Sequence, residues 1–155
     1  MRASLSPTLR LAAFALASTC LAGVASAKTC NVNIEATDAM QYNMKTISVA
    51  KDCTTVKVTL KHTGKLPKAA MGHDWVLSDA KDMQAIITAG TQAGLANNYQ
   101  PKNDKRVIAA TKLIGGGETA TTEFKTSALK KGETYKYFCT FPGHASVMNG
   151  TFEIK

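Results

Sequence analysis

The chain has 155 residues, with 19 Lys and Arg against 11 Asp and Glu, a formal net charge of +8. That length supports one ordinary domain with one core, not a multidomain assembly. The basic residues are scattered, as in Lys51, Lys57, Lys61, Lys65 and Lys68, and are not interleaved with aromatic ones. The excess charge therefore reads as a solvated surface and argues against nucleic-acid binding.

The amino-terminal stretch places Arg2 and Arg10 before the apolar run Leu11–Ala17 and ends in Ala25-Ser26-Ala27. Positive charge, then an apolar run, then small residues is the order of a cleavable secretory signal peptide. Cleavage after Ala27 is expected, leaving residues 28–155 as one domain with no membrane contact. The stretch is short and interrupted for a membrane anchor. A lipid anchor on Cys20 is disfavoured by Ala17-Ser18-Thr19 before it.

Beyond Ala27 the pattern is of short strands. Val32 and Ile34, then Ile47 and Val49, then Val56, Val58 and Leu60 alternate with polar residues. Alternation with period two marks strands with one buried face. Val76 and Leu77 follow His73 and Trp75, and Trp75 shares the strand parity of His73 and Leu77, so a core role is expected for it. Apolar residues Met83, Ile86 and Ile87 instead fall at helical spacing, which predicts a short helix over 80–90 with Ser78 as its cap. A polar loop is expected over 97–105. Further strands are expected over 106–113, 119–126, 133–140 and 150–155, punctuated by Gly115-Gly116-Gly117 and Lys131-Gly132. Many short strands in one domain predict an all-β sandwich or barrel.

After processing, Cys30, Cys53 and Cys139 remain. An odd count in an exported protein leaves one thiol with another task. Cys30 and Cys53 have no metal-ligating neighbours and are the expected disulfide pair in an oxidising compartment. Cys139 opens the run Cys139-Thr-Phe-Pro-Gly-His144-Ala-Ser-Val-Met148. Pro142-Gly143 predicts a turn that folds thiolate, imidazole and thioether toward one point. His73, in Met71-Gly72-His73-Asp74-Trp75, is the candidate second imidazole. Two imidazoles and one thiolate, with a weak axial methionine, form the blue-copper donor set. Structural zinc favours cysteine-rich sets and does not use thioethers. The expected cofactor is therefore one mononuclear type 1 copper. No second histidine cluster suggests catalytic copper, so no enzyme activity is expected.

The segments Met71-Gly-His-Asp-Trp-Val-Leu, Thr111-Lys-Leu-Ile-Gly and Phe138-Cys-Thr-Phe-Pro-Gly-His144, with Met148, resemble the azurins, bacterial members of the cupredoxins. The resemblance runs over essentially all of residues 28–155. It implies an eight-stranded Greek-key sandwich with one short external helix. It implies equatorial ligands His73, Cys139 and His144, an axial Met148, and a weak approach by the Gly72 carbonyl. It places Asp74, Thr140 and Phe141 around the ligands. It also implies that Met40, Leu66, Met71, Phe141, Pro142 and Val147 surround the exposed edge of His144 as a docking patch. The implied function is periplasmic one-electron transfer, with c-type cytochromes or copper nitrite reductase as partners. The alternative is a periplasmic copper carrier or storage protein. His62 matches a histidine near the metal in azurins, with packing and proton-linked roles both open. Asp74 departs from the asparagine usual in azurins at that position.

Overall fold

The computed structural model describes residues 27–155. All but the last residue of the expected leader, Cys20 included, lies outside the described residues. Strand β1, Lys28–Thr37, buries Val32, Ile34 and Ala36 and exposes Asn31, Asn33 and Glu35. It runs parallel to β4, Cys53–His62, with Val32 opposite Val58 and Ile34 opposite Leu60. The far side of β4 pairs antiparallel with β7, Thr119–Lys125.

The second sheet is built around β8, Tyr135–Phe138, which lies antiparallel to both β5, Val76–Asp79, and β9, Asn149–Ile154. Two short segments, β2 at Gln41–Tyr42 and β3 at Thr46–Val49, are parts of one run that changes sheets. The first pairs with β1 and the second with β9. Counting that run once, with the two-residue β6 at Ala109–Ala110 beside β5, gives an eight-stranded sandwich.

The core lies between the sheets. Ile34, Val56, Val58 and Leu60 meet Trp75, Leu77, Tyr137 and Phe152 there. Burying each large side chain contributes about 1.5–3 kcal/mol. Trp75 is fully buried, as its parity required, with its ring centroid 5.9 Å from that of Tyr137 and 6.4 Å from that of Phe124. A disulfide joins Cys30 to Cys53, stapling β1 to the start of β4, and Cys139 is free and buried.

The helix lies outside the sandwich, where Ile86 packs with Val76 and Phe138. It starts later than its periodicity suggested. A 3₁₀ turn at Ala80–Asp82 precedes the helix Met83–Ala93. Ser78 does not cap it. That residue belongs to β5, opposite Lys136, and its hydroxyl donates to the carbonyl of Asp79. Sheet pairing outcompetes a local cap here, because β5 continues to Asp79. A single turn of helix, Lys68–Met71, precedes Gly72. The strand expected over 106–113 shrinks to β6. Its neighbours still join the sheet edge through Ile108 N–H to Leu77 O, 2.9 Å, and Thr111 N–H to Trp75 O, 3.0 Å. Among the described residues, no helix is long and apolar enough to cross a membrane.

Candidate metal centre

One end of the sandwich brings His73, Cys139 and His144 together. Each offers a ligating atom, and these atoms all lie within 4.8 Å of one another in a buried group. His73 enters between the 68–71 turn and β5. Its backbone forms a bridge with Ile114, N–H to O at 2.9 Å and the reverse at 2.8 Å. The residue before it must be small, because a Cβ on Gly72 would stand 2.6 Å from the Lys68 carbonyl oxygen and 2.9 Å from the Leu113 side chain. The Gly72 carbonyl oxygen lies 3.9 Å from Cys139 Sγ.

Cys139 leaves the end of β8, and its N–H donates to the Met148 carbonyl at 3.0 Å. That bond closes the loop between them. Within it, His144 N–H donates to Phe141 O at 3.0 Å and Met148 N–H to His144 O at 2.8 Å. Gly143 takes the left-handed φ of 82° that the turn requires. His144 Nδ1 then stands 3.7 Å from Cys139 Sγ. Met148 is fully buried at the end of the same loop.

His73 shows which of its nitrogens is free. Its Nε2 lies 2.9 Å from the Thr37 carbonyl oxygen, which can only accept, so that nitrogen carries the hydrogen. In the neutral ring the lone pair therefore sits on Nδ1, which is buried with no hydrogen-bond partner. An orphaned acceptor among soft donors fits a metal ion better than it fits packing. Burial also holds the ring neutral, pushing the His73 pKa down to about 4. The His144 pKa is lowered for the same first reason, desolvation, and then by His62. Burial raises the Cys139 thiol well above its ordinary value, so a bound cation is needed to make it a thiolate.

Around the donors, Thr140 N–H donates to Asp74 Oδ1 at 2.7 Å, and Thr140 Oγ1 donates to Oδ2 at 2.5 Å. The expected link between these two residues is present. The Phe141 ring lies 4.5 Å from that of His144, centroid to centroid. Of the expected docking residues, Met40, Leu66, Val147 and Pro142 are exposed, while Met71 and Phe141 are half-buried. His144 keeps only 4% of its surface accessible.

Three participants escaped the sequence reading. Gln100, in the polar loop, donates to Asp74 Oδ2 at 2.6 Å. Thr37 contributes through its backbone alone. Asp38 accepts from Lys65 N–H at 2.8 Å and Leu66 N–H at 3.3 Å, and lies 3.1 Å from His62 Nε2. His62 in turn packs its ring 4.3 Å from that of His73. No local pattern marks these residues, since each acts through contacts with segments distant in sequence.

Comparison with known proteins gives matches along the whole of residues 28–155. The family described as copper binding proteins, plastocyanin/azurin family, matches that span. The azurin of Alcaligenes faecalis is 54% identical over 125 residues, covering 81% of this chain and 98% of its own. The azurin of Pseudomonas aeruginosa is 49% identical over 146 residues, covering 94% of this chain and 98% of its own. Among solved structures, the azurin Az-iso2 of Methylomonas sp. strain J superposes with a TM-score of 0.78 at 44% identity, covering 81% of this chain and 98% of that one.

Proposed function

The chain belongs to the plastocyanin/azurin family of copper-binding proteins and is a blue-copper electron carrier rather than an enzyme, and from that premise we propose which of its residues carry the function. His73 Nδ1, Cys139 Sγ and His144 Nδ1 would hold the copper, with Met148 as a weak fourth donor and the Gly72 carbonyl, 3.9 Å from Cys139 Sγ, close to the site. Copper bound there supplies a one-electron couple between Cu(I) and Cu(II).

The observation that carries this assignment is the divided role of His73: Nε2 committed to Thr37, Nδ1 buried and unpartnered beside the Cys139 thiol. The remaining residues hold these donors in place. The Cys139–Met148 backbone bond fixes the loop, and the two Thr140 bonds to Asp74 join it to the His73 segment. A storage protein gains from exposed, exchangeable donors. Here His73, Cys139 and Met148 are fully buried and His144 nearly so, which favours electron transfer.

The nearly covered His144 edge, with exposed Met40, Leu66, Pro142 and Val147, is the electron port and docking surface. Partners of the kind implied by the resemblance are c-type cytochromes and copper nitrite reductase. The signal-peptide pattern of residues 1–27 supports export, with the periplasm as the compartment of the mature chain. The disulfide suits that oxidising compartment.

The test is spectroscopic. Copper(II) added to the metal-free protein develops an intense band toward the red end of the visible range, from thiolate-to-copper charge transfer. Cys139→Ser abolishes it, because a hydroxyl cannot supply that donor. Persistence of the band in the variant overturns the ligand assignment.

A further inference from the structure

Asp74 is a fully buried carboxyl group that accepts three hydrogen bonds from uncharged donors, with the Cys139 side chain also beside it. Two of its hydrogen bonds come from Thr140. The third comes from Gln100, whose Nε2 also donates to the Thr111 carbonyl at 2.7 Å. A primary amide nitrogen carries two hydrogens, so both bonds form at once. Both acceptors lack a hydrogen to give when Asp74 is ionised, which fixes the amide with its nitrogen inward.

Each partner is itself anchored. Thr111 exchanges two bonds with Trp75: its N–H donates to Trp75 O, and its Oγ1 accepts from Trp75 N–H at 3.0 Å. The segment before Gln100 is pressed against the external helix at Gly90. A Cβ there would stand 2.1 Å from the Tyr99 carbonyl oxygen and 3.7 Å from the Thr140 Cβ. Helix, polar loop and Cys139 loop thus converge on one carboxylate. Asp74 directly follows His73, and Thr140 directly follows Cys139.

We propose that Gln100 is a positioning residue of the metal centre, completing a three-donor cradle around Asp74 that clamps the His73 segment to the Cys139 segment. An aspartate at this position needs that third donor. It only accepts, and two fully buried oxygens are poorly satisfied by Thr140 alone. An asparagine would supply its own N–H to the Thr140 hydroxyl and leave no charge for residue 100 to satisfy, only a second N–H that donates rather than accepts. The pairing of Asp74 with Gln100 is therefore a matched set: the carboxylate creates a demand that the amide meets. The clamp restrains two ligand-bearing segments at once, and ligands that move little favour rapid electron exchange. This consequence at the metal rests on the ligand assignment above, whereas the cradle itself does not.

The experiment is a cycle of Gln100→Leu with Asp74 and with Asp74→Asn, read in two ways. In the metal-free protein, hydrogen exchange is followed at the Thr140 amide, relative to the Tyr137 amide in β8. With Asp74 present, Gln100→Leu lowers the relative protection of Thr140 by about tenfold, the scale of one hydrogen bond to a charged group. In the copper-loaded protein, the same substitution shifts or broadens the blue band. In the Asp74→Asn background it leaves both readouts nearly unchanged. Equal losses in both backgrounds would reduce Gln100 to a brace of its own loop and overturn the proposal, as would no loss in either. Failure of the ligand assignment is read separately, as a blue band that never forms or that survives Cys139→Ser, and it leaves the exchange pattern intact. Gln100→Asn, too short by one methylene to reach, repeats the comparison if the leucine variant does not fold.

Discussion

The Nδ1 atom of His144 stands 3.7 Å from the Sγ of Cys139, five residues earlier, although their loop has no regular strand or α-helix. Backbone bonds hold that approach: Cys139 N–H to Met148 O, and Met148 N–H to His144 O. The loop backbone thus sets the spacing of the donors, and the residues around them bear on acid stability, stapling, docking and potential.

The metal-free protein should weaken on acidification. Burial lowers the His73 pKa to about 4. Below its ordinary value near 6.5 the unfolded chain takes up a proton that the folded chain refuses. Stability contributed by neutral His73 is therefore present above about pH 6.5 and lost as pH falls toward 4, by up to about 3 kcal/mol. Urea unfolding of the metal-free protein at pH 7 and pH 4.5 measures this. A His73→Gln variant should show a shallower loss; parallel curves for the two proteins would refute the assignment to His73.

Opening the disulfide should cost stability without touching the colour. Cys30 and Cys53 are 23 residues apart in sequence, and a crosslink over that span is worth about 3 kcal/mol on the chain-entropy model. Replacing both with alanine should lower the unfolding free energy by roughly that amount. The blue band should stay, since the pair joins β1 to β4 and neither sulfur is among the ligands. A colourless but folded variant would contradict this separation of staple and site.

Charge on the exposed apolar face should slow electron exchange. Val147 is 46% exposed on the loop that carries His144, and its carbonyl accepts from Lys45 Nζ at 2.8 Å. Val147→Asp leaves the donors in place but sets a hydrated carboxylate on the proposed docking face. We expect the exchange rate with a redox partner to fall by at least about tenfold, the effect of roughly 1.4 kcal/mol lost from docking, with the absorption spectrum unchanged. Met71→Lys should act in the same direction. Stopped-flow rates unaffected in both variants would assign these residues to packing alone.

The Asp74→Asn substitution should raise the reduction potential at neutral pH. A carboxylate held by three donors beside the ligands favours Cu(II) over Cu(I), and the amide removes that charge. Burial pushes the Asp74 carboxyl above the usual carboxylate range. Lowering the pH protonates it, so the gap between the two proteins should close on acidification. Voltammetry from pH 8 to pH 4 on both proteins, in a background lacking His62, tests this. Potentials that coincide throughout would leave Asp74 only its hydrogen-bonding role.

Much of this protein is written locally. The alternation of Val32 with Ile34, and of Val56 with Val58 and Leu60, marks the buried faces of β1 and β4 because side-chain direction in a strand has period two. Cys139, His144 and Met148 are legible together because a single turn gathers them, and donor chemistry alone then points to copper. Other features exist only after distant segments meet. Ser78 cannot cap the helix because pairing with β8 holds β5 straight through Ser78 to Asp79, and a 3₁₀ turn at Ala80–Asp82 then leads into the helix at Met83. Tyr42 and Ile47 lie on one run, but their strands belong to opposite sheets. His73 has its ligating nitrogen chosen by the backbone of Thr37, 36 residues away. Gln100 looks like any polar loop residue until folding removes water from Asp74 and leaves the carboxylate in need of a donor. Sequence determined which atoms can bind the metal, because that depends on residue type and short-range turns. Tertiary structure decided their tautomer, shielding and bracing, because those depend on which groups exclude water from one another.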